Sequence, residues 1–247
     1  MASFTTTATI DDSRISRGDD GMVPPARGGG GDDRAGSGAP DYTTRLRRAR
    51  LGLVVALTPI TMLFVSFTSA YIVRQGLPTL DPRTNLLIHD WISVTLPRLL
   101  WVNTFILVFS SVTMELARRQ SKGEAALAQA GSVPGVSLGR EKNIPWLAMT
   151  LVLGLAFLIG QWMAWRQLAA SGFYVATTPS SSFVYLLTGT HAIHLMGGVL
   201  ALLVAGVASL LRRPVGARSI VVDVTAWYWH FMAFLWIYIL CLLEFVR

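Results

Sequence analysis

Apolar side chains in this chain gather into five long runs, at roughly 51–73, 95–117, 146–168, 183–211 and 224–246, separated by short polar stretches. Each run approaches or exceeds the ~20 residues that carry a helix across ~30 Å of hydrocarbon. No run alternates polar with apolar at period two, as a membrane strand would. The expected fold is all-α and integral to the membrane: a bundle of five transmembrane helices within a domain of residues 45–247. Pro59 falls inside the first run, where it removes a backbone donor and predicts a kink that Thr58 and Thr61 can compensate.

The stretches outside the runs have a different character. Residues 1–44 are rich in Gly, Ser, Thr, Pro, Asp and Arg, "RGGGGDDRAGSGAP" among them, with almost no large apolar side chains. Such a segment buries too little surface to offset its ordering entropy, which predicts a disordered tail. The first ten residues, "MASFTTTATI", lack the basic start and apolar stretch of a signal peptide. Between the second and third runs, "SKGEAALAQAGSVPGVSLGREKN" predicts a surface loop holding a short helix at 123–130.

Composition agrees with the bilayer. Of 247 residues 52% are hydrophobic and only 14% charged, against roughly 25% charged in soluble domains. The net charge of +7 does not point to nucleic acid, because the basic residues sit in short clusters at the ends of apolar runs. Twelve Lys and Arg fall on one side of the membrane, at 45–50, 118–142 and 212–218, and five on the other, at Arg74, Arg83, Arg98, Arg166 and Arg247. The heavier side is expected to be cytoplasmic, with the N-terminus inside and the C-terminus outside a bacterial plasma membrane. Cys241, the lone cysteine, lies in the last run and reads as a small buried hydrophobe.

Candidate chemistry is sparse. A carboxylate at mid-membrane usually marks a proton or ion path. After Asp90 the acids are Glu115, Glu124, Glu141, Asp223 and Glu244, all at span ends or in a loop, which argues against an ion-coupled transporter working alone. His191 and His194 are three apart and share a helix face. His230 opens the fifth run, and His89 lies in a loop. A haem anchor could draw on these rings, but no acid near them in sequence fixes a ligating tautomer. The plainer reading is neutral imidazoles bonded between helices or to a lipid headgroup, at about 0.6 kcal/mol each.

Small residues recur at packing intervals, Ala156–Gly160–Ala164 in the third run and Gly197–Ala201–Ala205 in the fourth. Asn103, Thr104, Ser110, Ser111 and Thr113 make the second run unusually polar. Trp227, Tyr228, Trp229, Trp236 and Tyr238 crowd the fifth run, while Trp146 opens the third and Trp162, Trp165 and Tyr174 mark its far end. These rings suit an interfacial belt, apolar in body and wet at the tip.

Several of these stretches carry a resemblance. "TAWYWHFMAFLWIYILCLLEF" resembles the last helix of the cytochrome c oxidase subunit III family, and "SSFVYLLTGTHAIHLMGGVLAL" its penultimate helix. Thr188, Gly189, His191, His194 and Gly198 match the typical TGxHxxHxxxG spacing. "LVLGLAFLIGQWMAWRQL", "WVNTFILVFSSVTMELARR" and "FVSFTSAYIV" are similar to the preceding three, in the correct order over about 51–246. The resemblance is to the five-helix bacterial form, which lacks the first two helices of the seven-helix version.

The resemblance implies an accessory role in aerobic respiration. Such a subunit holds no haem or copper itself and docks against the haem-containing catalytic subunit I beside the copper-containing subunit II. It retains structural phospholipid, protects the complex during turnover and supports proton uptake. Three acids frequent in the family are absent, their positions matching Ile60 or Thr61, Ala164 and Ala233. A related subunit of nitric oxide reductase or of a quinol oxidase would share the same helices. The residues singled out for helix packing or lipid binding are Asn103, Glu115, Gly189, His191, His194, Trp227, Trp229 and His230, and none is assigned to catalysis or to a metal.

Overall fold

The computed structural model describes residues 42–80, 87–88, 91, 96–129, 145–175, 177–211 and 215–246. Within them lie α1 (Tyr42–Gly76), α2 (Leu99–Gln129), α3 (Trp146–Ala170), α4 (Pro179–Leu210) and α5 (Val215–Phe245). All five are long and apolar enough to cross a membrane. The one departure from helix among the described elements is a two-residue antiparallel ladder, β1 (Thr79–Leu80) with β2 (Leu87–Ile88), in which Thr79 faces Ile88.

The helices outrun the apolar stretches that announce them. At 35 residues α1 is about 52 Å long, well beyond the hydrocarbon. It begins at Tyr42, inside the stretch read as tail; the remainder of that stretch, like His89, lies outside the described residues. Arg, Leu and Ala at 45–51 are good helix formers, so the helix persists where hydropathy fades. For the same reason α2 runs unbroken to Gln129, and the separate short helix expected at 123–130 is its last turns. The start of α4 is set by a capping box: the Thr178 hydroxyl accepts from the Ser181 backbone N–H at 3.2 Å, and Ser181 Oγ accepts from the Thr178 N–H at 3.1 Å. Pro59 is accommodated within α1. Thr58 and Thr61 donate to the carbonyls of Val54 and Leu57, each one turn back, and not to the Val55 carbonyl that the proline leaves without a donor.

Four helices close a ring in which α2 packs on α3, α3 on α4, α4 on α5 and α5 on α2. The backbones of α3 and α5 stay apart because two indoles fill the space between them. Trp229 lies against Gly154 of α3, and Trp236 meets the Phe157 ring edge-on at 5.0 Å. Both tryptophans are fully buried, inside the bundle and not in the interfacial belt expected of them. Each indole N–H finds a hydroxyl on α2, Ser110 for Trp229 and Thr104 for Trp236, both at 3.0 Å. Trp162, Tyr174, Trp227 and Tyr238 do remain exposed. The outlying helix is α1, which leans on α4 and α5 and buries few of its own side chains.

Close approach depends on glycine at a few points. A Cβ on Gly154 would stand 2.6 Å from Trp229 Cη2, and one on Gly160 would stand 2.0 Å from Asn103 Oδ1. In α4 the tight position is Gly198, pressed by Tyr228 and Trp229, whereas Gly197 is exposed. Of the stripe expected in α4 only Ala205 is fully buried, Ala201 being half-buried and Gly197 exposed, and Ala156 of α3 is likewise only partly buried.

Candidate functional site

Polar side chains converge at the end of the bundle that holds the α1 N-terminus. Asp223, in the third turn of α5, is 1% exposed at its side chain. Three cations from two other helices surround it. Arg50 of α1 donates through Nε to Oδ2 at 2.8 Å, Lys122 of α2 approaches Oδ1 at 2.9 Å, and Arg118 of α2 reaches the same oxygen at 3.4 Å. A buried carboxylate needs such partners, since unpaired it would forfeit its hydration without compensation. Beside it Tyr42 and Ser219 share a hydroxyl contact at 3.2 Å, again joining α1 to α5.

Arg118 links this hub to a second carboxylate. Its Nε and Nη2 grip Glu115 in a fork at 2.7 and 2.9 Å, and Arg119 adds a bond to Oε1 at 2.9 Å. His230 Nε2 lies 3.5 Å from Glu115 Oε2, and Ser111 Oγ lies 2.5 Å from His230 Nδ1. That geometry suits an imidazole protonated on Nε2, with the Ser111 hydroxyl donating to Nδ1. Trp227 covers the cluster from outside, with the Arg118 guanidinium 5.9 Å from its ring centre. Polar groups thus run from Ser111 through His230, Glu115 and Arg118 to Asp223, Arg50 and Lys122.

The sequence placed no acid near the histidines, yet helix packing sets Glu115 beside His230. The other two rings behave differently. His194 bonds to the Thr190 carbonyl of its own helix at 2.8 Å and packs edge-on to Phe64 of α1. His191 is fully buried between Phe157 and Trp236, and neither ring nitrogen has a hydrogen-bond partner among the described residues. Asn103 is buried with its amide over Gly160, its Nδ2 also unpartnered there. A Cβ added to Gly189 would meet Trp165 at ordinary contact distance, and Trp165 donates to the neighbouring Thr188 hydroxyl at 3.0 Å. Among the described residues no three His, Cys, Asp or Glu side chains are grouped so as to hold a metal.

Asp223, Arg50 and Lys122 carry the hub and are missing from the residues singled out in the sequence. A signal was present: Arg118 and Lys122 are four apart and so share a face of α2, and Asp223 is the one acid in the first half of α5. Arranged this way, the charges can join helices and complement charged headgroups. Among the described residues they do not form a path across the membrane, because the cluster runs from the Asp223 end only to about the middle of α2 and α5, at Ser111 and His230.

The family model for cytochrome c oxidase subunit III matches residues 41–246, the whole five-helix bundle. This chain belongs to that family. A probable cytochrome c oxidase subunit 3 of Mycobacterium leprae is 26% identical over 199 residues, covering 80% of this chain and 87% of that protein. The Corynebacterium diphtheriae cytochrome c oxidase subunit 3 is 29% identical over 146 residues, with 59% and 64% covered. The wheat (Triticum aestivum) subunit is 26% identical over 197 residues, with 77% and 65% covered. Family membership and the five apolar helices make this a multi-pass membrane protein of the subunit III type.

Proposed function

We propose that this chain is a metal-free accessory subunit of a bacterial haem-copper cytochrome c oxidase, braced against the haem-bearing catalytic subunit beside the copper-bearing one. In that role it stabilises the assembled complex and retains phospholipid around it. The observation that carries the reading is the subunit III match over the full bundle. The interior supports it, being filled by indoles and aliphatic side chains with its charges paired at one end. The Lys and Arg asymmetry favours the Asp223 end as cytoplasmic.

Affinity purification of the tagged full chain from its own membranes in mild detergent tests this. Haem-bearing and copper-bearing oxidase subunits are expected in stoichiometric yield with it. A deletion strain should assemble an oxidase with an unaltered optical spectrum but a shorter active lifetime during turnover. Recovery of the chain with tightly bound iron or copper and no oxidase subunit would overturn the reading.

A further inference from the structure

The half of the bundle away from Asp223 holds three polar side chains that its packing does not satisfy. His191 of α4, Asn103 of α2 and Gln161 of α3 are 0%, 1% and 2% exposed. Both ring nitrogens of His191, Nδ2 of Asn103 and Oε1 of Gln161 have no hydrogen-bond partner among the described residues. Buried polar atoms are costly in that state, and native interiors almost always pair them. The hydroxyls nearby do not supply the missing protons. Thr104 donates to the Leu100 carbonyl at 2.8 Å and Thr188 to the Val184 carbonyl at 2.6 Å, and each already accepts an indole N–H.

Packing draws the three together. The imidazole of His191 lies between Phe157 of α3 and Trp236 of α5, with ring centres 6.2 and 5.1 Å away. Gln161 stands one turn beyond Phe157 on the same face of α3. Helical side chains lean toward the N-terminus of their own helix. α3 and α4 are joined by the short stretch 171–178 and run in opposite directions, so Gln161 leans back toward the Phe157 level while His191 leans up to meet it. The Asn103 amide overlies Gly160, the residue before Gln161, with Nδ2 2.9 Å from where a Cβ on Gly160 would stand.

The unmet atoms define what would meet them. A neutral imidazole presents one donor and one acceptor, Asn103 Nδ2 presents donors, and Gln161 Oε1 an acceptor. A cation would face N–H groups without a counter-charge, since α3 and α4 contain no carboxylate. An anion would face the Gln161 oxygen. What fits is a small neutral molecule that both donates and accepts. We propose that Asn103, Gln161 and His191 form an internal water site at the junction of α2, α3 and α4. A water there accepts from Asn103 Nδ2, donates to Gln161 Oε1 and makes its third bond with a His191 ring nitrogen, the usual number for a buried water. Because the two ring nitrogens point apart, a pair of waters is needed to meet both. So hydrated, the layer ties three helices in the half of the bundle opposite the charged hub. This goes beyond the proposed function and does not depend on it.

The test is radiolytic hydroxyl labelling with residue-level mass spectrometry on the full chain, in the complex it purifies with. Radicals formed from an ordered water label the side chains it touches, even where bulk solvent cannot enter. Trp229 is the control: equally buried, it is satisfied by Ser110, and an indole is intrinsically more reactive than an imidazole. His191 is expected to carry more label than Trp229 in wild type, and to fall to the Trp229 level in Gln161→Leu and Asn103→Leu. Wild-type label at His191 no higher than at Trp229 overturns the site. Label that both variants leave unchanged overturns its assignment to these three residues. A high-resolution map of the wild-type complex decides the matter even where neither variant assembles. Water density within about 2.7–3.2 Å of Gln161 Oε1 and a His191 nitrogen supports the proposal. A His191 ring bonded directly to a protein group, or to nothing, overturns it.

Discussion

The indole of Trp229 shows how a single position sets the bundle's tolerance. It is wedged between Gly154 and Gly198 and tied to Ser110, so the space for it is made by what its neighbours lack. Gly154→Leu forces backbone movement and is expected to destabilise the bundle by about 1–3 kcal/mol, the usual range for overpacking. Gly197→Ala, whose Cβ meets only Tyr228 Oη at 3.6 Å, should be close to neutral. Thermal release of the chain from the purified complex separates the two. A lower midpoint for the alanine than for the leucine variant would show the wedge is misplaced. None of this could be read from the neighbouring letters. In lipid the outward face is as apolar as the inward one, so apolar period does not reveal which of Gly197 and Gly198, or Trp227 and Trp229, faces in.

Elements were more legible than faces. Five runs of membrane length gave five helices because hydrocarbon demands that every backbone group be bonded within its own segment. Their ends were harder, since the runs report where the lipid is and not where helical geometry stops: α2 reaches Gln129 and α5 starts at Val215, each past the apolar stretch. The joint between α1, α2 and α5 was missed because it needs three helices that are distant in sequence. Asp223→Asn removes the charge that holds Arg50, Arg118 and Lys122 together. The half-exposed cations can recover water, so the expected loss is about 1.5–3 kcal/mol, as for a charged hydrogen bond, and not the larger figure for a sealed pair. Combined with Arg118→Gln it should be less than additive, measurable by a double-mutant cycle on the same thermal assay. Strict additivity would show that the two side chains do not share one network. α1 contains no carboxylate anywhere along its length. Treatment with a carbodiimide, which attacks buried protonated carboxyls, is therefore expected to leave peptides from 51–73 unmodified, and a labelled peptide by mass spectrometry would refute this.

For the molecule as a whole, His230, Glu115 and Asp223 tie helices together, and under the proposed function the chemistry belongs to companion subunits. His230→Ala should weaken association with the catalytic subunit, because it releases Ser111 and Glu115 of α2, while the haem and copper spectrum of whatever complex assembles stays as in wild type. A shifted haem band in that variant would contradict the bracing role. The way α1 is held has a further consequence for how the chain is made. Three of its polar bonds go to α5, Tyr42 with Ser219, Arg50 with Asp223 and Thr68 with Tyr238, and a fourth joins Tyr71 to the Val246 carbonyl just past it. Because α1 leaves the ribosome well before α5, it must wait in the bilayer for that later helix. A chain cut short before α5 would present an unmoored α1, which a membrane protease can use to tell such truncated copies from those that carry α5.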